Sequence, residues 1–281
     1  MLGASSAPPL MAVIAAPALA IAFWRNVMAL PVAISMALWQ DRADVRRLSP
    51  RLMGVTLLAA VMLGTHFSTM AAALDRTSVA SAATLVCSQS IWAAVFAGML
   101  GERLTRVAWA GTFVAFLGVV VVTGADATLV RDSLAGNALA LVAGAAGGAY
   151  MVAGAVVRKT IGTSLYTALC YGTCAAVLAV VMASTGQPLS GYPLSAWLQL
   201  AALTLLAQLI GHSLFNAVMR SVSPSFVSLS QLLTVPLAMI IAAVMLDQTP
   251  HLAMLPGVTL MLAGIAVVLS SHRRPRSVAR R

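Results

Sequence analysis

Long apolar runs follow one another along almost the whole chain, and short polar turns separate them. A helix needs about 20 mainly apolar residues to cross a bilayer. Strands of a membrane barrel would instead show alternating segments of about ten residues. The pattern therefore predicts an all-α integral membrane protein with ten transmembrane helices, at residues 3–17, 19–39, 51–73, 78–98, 105–124, 136–156, 164–184, 196–218, 224–245 and 251–270.

The composition agrees with this pattern. Hydrophobic residues make up 60% of the 281 residues and charged residues 9%, whereas soluble domains carry about 25% charged residues. The turns are too short to hold a separate soluble domain, and short connections make neighbouring helices antiparallel. A membrane bundle with little extramembrane mass is therefore expected.

The first apolar run, at residues 3–17, is shorter than a full span and contains prolines. It lacks the basic segment with which a secretory signal peptide begins. Ten spans and a cytoplasmic C-terminus would place the N-terminus in the cytoplasm. We therefore expect a first helix that is short or truncated, or a natural start upstream of Met1.

The formal net charge is +10, and its placement follows membrane topology. If the C-terminal tail is cytoplasmic, three of the 17 cationic residues fall on the opposite side, namely Arg25, Arg76 and Arg131. This excess of cytoplasmic cations is the positive-inside signal, and anionic lipid can bind the same residues. Only one of the 17 cations is a lysine, which indicates a GC-rich bacterial genome. We expect a bacterial inner membrane, the bilayer as partner and no nucleic acid.

Two stretches resemble each other. Residues 101–124 read GERLTRVAWAGTFVAFLGVVVVTG, and residues 247–270 read DQTPHLAMLPGVTLMLAGIAVVLS. Each contains two glycines seven residues apart, Gly111 and Gly118 in the first and Gly257 and Gly264 in the second. Self-similarity of this kind indicates an internal structural repeat.

A shift of about 145 residues aligns the two halves of the chain in order. It places Glu102 on Asp247 and, with a slip of one residue, His66 on His212. We expect one five-helix repeat over residues 1–124, a second over 136–270, and a basic cytoplasmic tail over 271–281. An odd number of helices inverts the second repeat. Inverted repeats recur in secondary transporters, which bind substrate between the halves near the midplane.

Several motifs in this order resemble a known family. They are LGERLTRVAWAGTFVAFLGVVVV in the first half, then IGHSLFNAVMRSVSPSFVSLSQLLTVPLAMIIAAVMLDQTP and PGVTLMLAGIAVVL in the second, with PALAIAFWRNVMALP at the second span. Together they resemble the EamA-like branch of the drug/metabolite transporter superfamily. The resemblance implies ten helices in two inverted five-helix repeats. It also implies transport of small metabolites without ATP, often amino-acid export or multidrug efflux.

The chain departs from the family pattern at three places. The family often has a proline in the fourth helix, where this chain has Ser88-Gln89-Ser90. It often has Glu-Pro in the ninth helix, where this chain has Val235-Pro236, and the glutamate of the second half is replaced by Asp247. These departures weaken any inference about the substrate.

His66 and His212 lie within spans at matching positions of the two repeats. Ionisable side chains inside a membrane are costly and normally face the bundle interior. The pair either lines the substrate pathway, where it could bind a carboxylate or titrate, or packs between helices through hydrogen bonds. Asn216 follows His212 by four residues and so shares its helix face. It too either lines the pathway or forms a hydrogen bond between helices.

Other polar and aromatic residues within spans are candidates for the pathway. Gln89 and Ser90 in the fourth span and Gln231 in the ninth could supply donors and acceptors for a zwitterion, or could serve packing. Trp92 lies deeper than the other tryptophans, and Tyr150 projects from the glycine-rich sixth span.

The charged residues near span ends have simpler expected roles. Glu102 and Asp247 lie at interfacial turns, where a carboxylate is solvated and favours a following helix, so we expect structural or gating roles. Arg25 either extends to the membrane surface as an anchor or faces an anion. No acid lies mid-span, which disfavours a strongly cationic substrate. Proton-coupled transport would need the histidines, while exchange or uniport would not.

The sequence contains no phosphate-binding loop, nucleophile elbow or metal-ligand spacing. The three cysteines lie within spans and fit packing roles. We therefore expect no cofactor, no metal and no enzyme activity. A secondary transporter that exports amino acids, related metabolites or drugs by alternating access is favoured. The alternatives are a non-transporting receptor or accessory subunit, and an intramembrane enzyme built on the two histidines.

Overall fold

A computed structural model describes residues 10–11, 13–77, 82, 85–102, 104–126, 134–246, 252 and 255–272. These residues form helices and turns, without a strand among them. The helices are α1 (Ala18–Gln40), α2 (Pro50–Leu74), α3 (Gln89–Met99), α4 (Arg106–Asp126), α5 (Leu134–Val157), α6 (Thr163–Thr185), α7 (Leu194–Val218), α8 (Pro224–Gln231), α9 (Thr234–Leu246) and α10 (Leu255–His272). A 3-10 helix, Arg42–Arg47, connects α1 and α2.

The all-α prediction is confirmed. Five of these helices, α1, α2, α5, α6 and α7, are long and apolar enough to cross a membrane. Shorter apolar helices are α3 and the segments Arg106–Val121 and Leu255–Val268. Most of the predicted first span, 3–17, lies outside the described residues, as does most of the C-terminal tail.

Two predicted spans are interrupted by turns at related positions. A turn at Cys87–Ser88 precedes α3, and a turn at Leu232–Leu233 separates α8 from α9. The two turns are 145 residues apart in the sequence, which is the same shift that aligns the two halves. The two halves therefore share a structural irregularity as well as a sequence pattern.

The second turn has a simple cause. Pro236 has no N–H, so the carbonyl of Leu232, four residues earlier, cannot receive the normal helical hydrogen bond. At the first turn the equivalent residue is Ile91, whose N–H bonds instead to the carbonyl of Ser88 at 2.9 Å. The Ser90 hydroxyl donates to the carbonyl of Cys87 at 3.1 Å. At the first turn, which has no proline, the Ser90 hydroxyl thus supplies the hydrogen bond that the Cys87 carbonyl accepts.

The paired glycines of the two repeats pack against each other where α4 crosses α10. A Cβ at Gly111 would lie 2.8 Å from the carbonyl oxygen of Gly264, and one at Gly118 would lie 2.6 Å from that of Gly257. Because Gly111 meets Gly264 and Gly118 meets Gly257, the two helices are antiparallel. The matching spacing in the sequence therefore produces one close helix crossing.

Glycines of α5 serve a second close contact. A Cβ at Gly144 would lie 2.6 Å from the Ser88 hydroxyl, and one at Gly148 would lie 2.8 Å from the backbone nitrogen of Ala93. The small residues thus let α5 approach the turn before α3 and the first part of α3. The largest core cluster joins α1, α2, α5 and α6 and contains the fully buried Tyr166 and Tyr171.

The loop after α1 caps α6, which belongs to the other half of the chain. Gly162 precedes α6 and has no side chain to cap it. The Asp41 carboxylate accepts a hydrogen bond from the backbone of Leu165 at 3.0 Å, and the Asp44 carboxylate accepts one from Gly162 at 2.7 Å. Carboxylates are favourable at a helix N-terminus, so this contact ties the two halves together at one end of the bundle.

Candidate functional site

A cavity of about 180 Å³ lies between the two halves, beside the two helix breaks. Residues from α2, α3, α5, α7, α8 and α9 and from both turns surround it. The lining residues are Leu63, His66, Val86, Cys87, Gln89, Gly147, Tyr150, Met151, His212, Phe215, Gln231, Leu232 and Thr234. Five of the residues predicted for the pathway thus meet in one cavity: His66, Gln89, Tyr150, His212 and Gln231.

The two histidines face the cavity from different halves. His66 lies on α2, and its Nδ1 is 2.8 Å from the carbonyl oxygen of Ala143 on α5. His212 is the last residue of a π-helical segment within α7, Thr204–His212. The ring of Phe67 lies between them, with its centroid 5.2 Å from that of His66 and 6.2 Å from that of His212. π-Helical segments are uncommon and often occur at functional sites.

The two glutamines join the broken helices. Gln89 begins α3 directly after the first turn, and Gln231 ends α8 directly before the second. The Gln89 Nε2 donates a hydrogen bond to the Gln231 Oε1 at 2.8 Å. Each amide retains further donor and acceptor capacity towards the cavity, because an amide side chain has two N–H donors and two lone pairs.

Tyr150 connects the cavity to a buried asparagine. Its hydroxyl donates to Asn216 Oδ1 at 2.7 Å. Asn216 is fully buried, and its Nδ2 is a buried donor without a hydrogen-bond partner. Asn216 does not line the cavity itself. A buried amide donor left unpaired costs about 1–3 kcal/mol, so any hydrogen-bond partner for this Nδ2 would be stabilising.

Gly147 provides the space between the polar groups. A Cβ at this position would lie 2.7 Å from Gln89 Oε1 and 3.0 Å from His66 Nδ1. Any larger residue would fill the gap between these two side chains. The glycine-rich α5 thus shapes the cavity as well as packing closely.

The remaining predicted residues lie elsewhere. Ser90 is buried and bonds to backbone. Trp92 is 36% exposed and stacks on Phe96, away from the cavity. Glu102 lines a different cavity, described below, and Asp247 lies outside the described residues.

The environment of Arg25 decides against one of the two roles that the sequence suggested for it. An anchoring role would require it to extend to the surface, but only 4% of it is exposed. Its Nε donates to Gln208 Oε1 at 2.8 Å, and Gln208 Nε2 donates to Asn26 Oδ1 at 3.0 Å. Its Cζ lies 5.0 Å from the centroid of the Phe67 ring. The anchoring interpretation is therefore wrong.

Asn26 and Gln208 were missed. Both are fully buried polar residues within apolar runs. Gln208 precedes His212 by four residues, so the same helical spacing that identified Asn216 could have identified it. Asn26 follows Arg25 directly, and its own Nδ2 bonds to the carbonyl of Ala22 at 2.8 Å.

A second cavity, of about 490 Å³, opens at the end of the bundle where the loop after α1 caps α6. Three charged residues, Glu102, Lys159 and Arg220, are among those that line it. Val152 lines it from α5, and Met219 lines it from the position directly after α7. It therefore lies on the side on which the sequence concentrates cationic residues.

Arg158 directly precedes Lys159 of this second cavity and is itself buried. Its Nε donates to the carbonyl of Asn216 at 2.9 Å, and its other nitrogens bond to Ile161 and Thr163. Burial lowers the pKa of the Arg158 guanidinium from its ordinary value, and the nearby carboxylate of Asp41 opposes this. Arg158 thus links the loop after α5 to the backbone of the buried Asn216.

The described residues contain no group of three or more histidine, cysteine or acidic side chains that could hold a metal ion. Cys87, Cys170 and Cys174 are free. The cavity between the halves therefore offers neutral amides, imidazoles and a phenol for binding rather than ligands grouped around a metal.

Comparison with known proteins gives a consistent result. The EamA-like transporter family matches residues 1–124 and 134–270, so both halves match. Among proteins with curated descriptions, none matches the chain significantly. Among solved structures 27 chains match, including the crystal structure of a protein that is 20% identical in sequence. The match to that structure covers 97% of this chain and 94% of the other, with a TM-score of 0.82, and shows a shared fold.

Proposed function

Because the chain belongs to the EamA-like transporter family, we propose that it is a secondary transporter that moves small organic metabolites, such as amino acids, by alternating access. As a member of this family, the chain is a membrane transporter of the drug/metabolite type. Ten helices in two inverted five-helix repeats, over 1–124 and 136–270, are the arrangement that we propose. The antiparallel crossing of α4 and α10 supports an inverted relation.

One observation carries the proposal: the cavity of about 180 Å³ is lined by polar residues of both halves, next to two related helix breaks. Transporters with inverted repeats bind substrate at the repeat interface, commonly beside discontinuous helices. Irregular backbone at membrane depth is tolerated where it lines a cavity. Polar side chains within spans face such a cavity when they serve a pathway.

In this proposal the five polar cavity residues that the sequence predicted for the pathway bind the substrate. His66, His212, Gln89, Gln231 and Tyr150 contact the polar groups of the substrate. Asn216 supports Tyr150, and Ser90 supports the turn before α3. If coupling to protons occurs, the two histidines carry the proton, because no acid lies mid-span. The alternative without titration is exchange or uniport.

We propose export across a bacterial inner membrane with the C-terminus in the cytoplasm. The placement of cationic residues supports this orientation. The second cavity, with Lys159 and Arg220, would then open to the cytoplasm and receive substrate first. Glu102 lies in its wall and would act in gating.

Flux into liposomes that contain the purified protein tests the proposal. Inside-out vesicles would be challenged with labelled amino acids, dipeptides and cationic drugs. We expect saturable flux of at least one small metabolite, and loss of most of it in Gln231→Ala. Gln40→Ala is the matched control, since Gln40 is exposed at the end of α1, and it should transport normally.

The other outcomes are informative. Absence of flux in both vesicle orientations, with protein that is folded and inserted, would contradict a transporter and favour a receptor or accessory subunit. Equal flux in wild type and Gln231→Ala would keep the transporter and reject this cavity as the pathway. Flux in the uptake direction alone would reject export.

A further inference from the structure

We propose that Arg25 supplies the positive charge that binds the carboxylate of the substrate, so the transporter takes small carboxylates and zwitterionic amino acids rather than cations or neutral amides. This inference rests on the proposed function, since it names the substrate class of the same site. It is carried by a buried arginine without an acidic partner, placed behind the aromatic ring between the two cavity histidines.

The first step is the burial of the charge. Arg25 lies within α1, and 4% of it is exposed. An arginine remains protonated in proteins, and an unpaired ion within a membrane span costs several kcal/mol. A protein retains such a group where something offsets the cost. Here the Phe67 ring offsets part of it through a cation–π contact at 5.0 Å.

The second step is the lack of a counter-charge. The chain has seven acidic residues, of which the structure describes Asp41, Asp44, Asp75, Glu102 and Asp126, and each of these five lies in a loop or at a helix end. Within the described part of the chain the ion pair present is Arg47–Asp44, on the loop after α1. Among the described residues no carboxylate neutralises the charge of Arg25, and a bound anion would do so.

The third step is the geometry of the guanidinium. Its Nε is held by Gln208 at 2.8 Å, and Gln208 is in turn held by Asn26. Its two terminal nitrogens donate no hydrogen bond to any residue that the structure describes. Two parallel N–H groups at the end of a fixed guanidinium are the fork that binds a carboxylate in a bidentate manner.

The fourth step is the position beside the cavity. Phe67 adjoins both the guanidinium and the two cavity histidines, since its ring centroid lies 5.0 Å from Arg25 Cζ, 5.2 Å from the His66 ring and 6.2 Å from the His212 ring. Arg25 itself does not line the cavity, so in this proposal the Phe67 side chain moves aside when a carboxylate binds. The amides and Tyr150 then remain for the amino group and other polar atoms of the substrate.

The charge balance favours a carboxylate over a phosphate. Arg25 provides one full positive charge, and the polar groups that line the cavity are amides, imidazoles and a phenol. A phosphate monoester carries about two negative charges at neutral pH. One arginine would neutralise only half of that charge. A cavity of about 180 Å³ also favours a small molecule.

The experiment measures binding rather than transport, by calorimetry on the full chain in nanodiscs. The probes are matched sets built on alanine, leucine and phenylalanine: the amino acid, its deaminated acid, its decarboxylated amine and its amide. We expect the carboxylate-bearing members of at least one set to bind, and the amine and amide of that set to bind at least tenfold more weakly.

Three variants localise the binding. Arg25→Gln should weaken carboxylate binding at least tenfold, and Arg25→Lys should restore part of it, because an ammonium keeps the charge but loses the fork. Arg46→Gln is the matched control, since Arg46 is exposed on the loop after α1. Replacing a buried charge by a neutral residue need not destabilise a fold, and thermal unfolding checks this.

Each outcome decides the inference. Failure of every carboxylate to bind, binding of amines in preference to acids, or full binding by Arg25→Gln would overturn it. Flux of cations or neutral solutes in liposomes would then still leave the proposed function standing. Carboxylate binding that depends on Arg25, without flux in either direction, would support the inference and reject the transporter.

Discussion

The Nε2 of Gln89 donates a 2.8 Å hydrogen bond to the Oε1 of Gln231, and this bond joins the two interrupted helices of the two halves. Gln89 directly follows the turn at Cys87–Ser88, and Gln231 directly precedes the turn at Leu232–Leu233. The bond therefore spans the interface across which alternating access would move the two halves. It also lies in the wall of the cavity that we propose as the substrate site.

A double-mutant cycle on this pair should separate stability from transport. Gln89→Leu or Gln231→Leu alone leaves the partner amide unpaired in a partly buried site, which costs about 1–3 kcal/mol. The double variant removes both amides, so we expect it to be more stable than either single variant. Transport should remain low in all three, because the polar groups that face the substrate are lost.

Thermal unfolding in detergent and flux in liposomes measure the two effects. Recovery of transport together with stability in the double variant would show that the glutamines only hold the helices together. Additive losses of stability would show that the two amides do not interact in solution.

Gly147 should limit the size of the cavity. Gly147→Val adds branched carbon atoms where a Cβ alone would lie 2.7 Å from Gln89 Oε1 and 3.0 Å from His66 Nδ1. We expect at least tenfold slower transport with nearly normal folding, since the neighbours are side-chain atoms that can shift. Gly54→Ala is the control on α2, because a Cβ there would meet nothing within 4 Å. Normal flux in Gly147→Val would place the pathway elsewhere.

Much of the architecture could be predicted from hydropathy, because the bilayer imposes a minimum length on each apolar run. The runs 51–73 and 136–156 correspond to α2 and α5 within two residues at each end. The two glycines seven residues apart in each half predicted an internal repeat. The structure shows that the glycines of one half pack against those of the other. Such features are local in sequence or repeat at a fixed shift, so one sequence reveals them.

The helix breaks could be predicted only in part. Pro236 is a visible cause for the turn at Leu232–Leu233. The turn at Cys87–Ser88 has no proline, and the π-helical segment Thr204–His212 has no marker in its apolar pattern. Hydropathy reports how apolar a run is, but it does not report which carbonyls lack a partner.

The candidate site was also predictable only in part. His66 and His212 could be selected as candidates because a polar residue within an apolar run is conspicuous and the repeat pairs the two, and the structure places both in the lining of one cavity. The sequence could not decide between the two alternatives for Arg25, because its hydrogen bond to Gln208 joins residues 183 positions apart. No periodicity within one helix reveals a partner on another.

The crossing of α4 and α10 should be intolerant of any side chain at Gly118. A Cβ there would lie 2.6 Å from the carbonyl oxygen of Gly257 and 2.7 Å from the Cα of Met261, and backbone atoms cannot move aside as a side chain can. We expect Gly118→Leu to lower the free energy of unfolding by about 1–3 kcal/mol or to prevent stable expression. Gly98→Ala on α3, where a Cβ meets nothing within 4 Å, is the control. A normal melting temperature for Gly118→Leu would mean that the two helices are further apart than described.

The cap that the loop after α1 provides for α6 yields a last prediction. Asp41 accepts a hydrogen bond from the backbone of Leu165 at 3.0 Å, in place of the side chain that Gly162 lacks. Loss of an N-terminal cap typically costs about 1 kcal/mol, so Asp41→Ala should destabilise the protein by about that amount and speed hydrogen exchange in the first turn of α6. Asp75→Ala, at the end of α2, is the control and should leave that turn unchanged.

The contact between Asp41 and Leu165 joins the two halves at the end where the second cavity opens. A change in the transport rate of Asp41→Ala with unchanged substrate affinity would therefore identify the loop after α1 as part of a moving gate. Unchanged exchange in the first turn of α6 would show that Asp41 does not cap this helix.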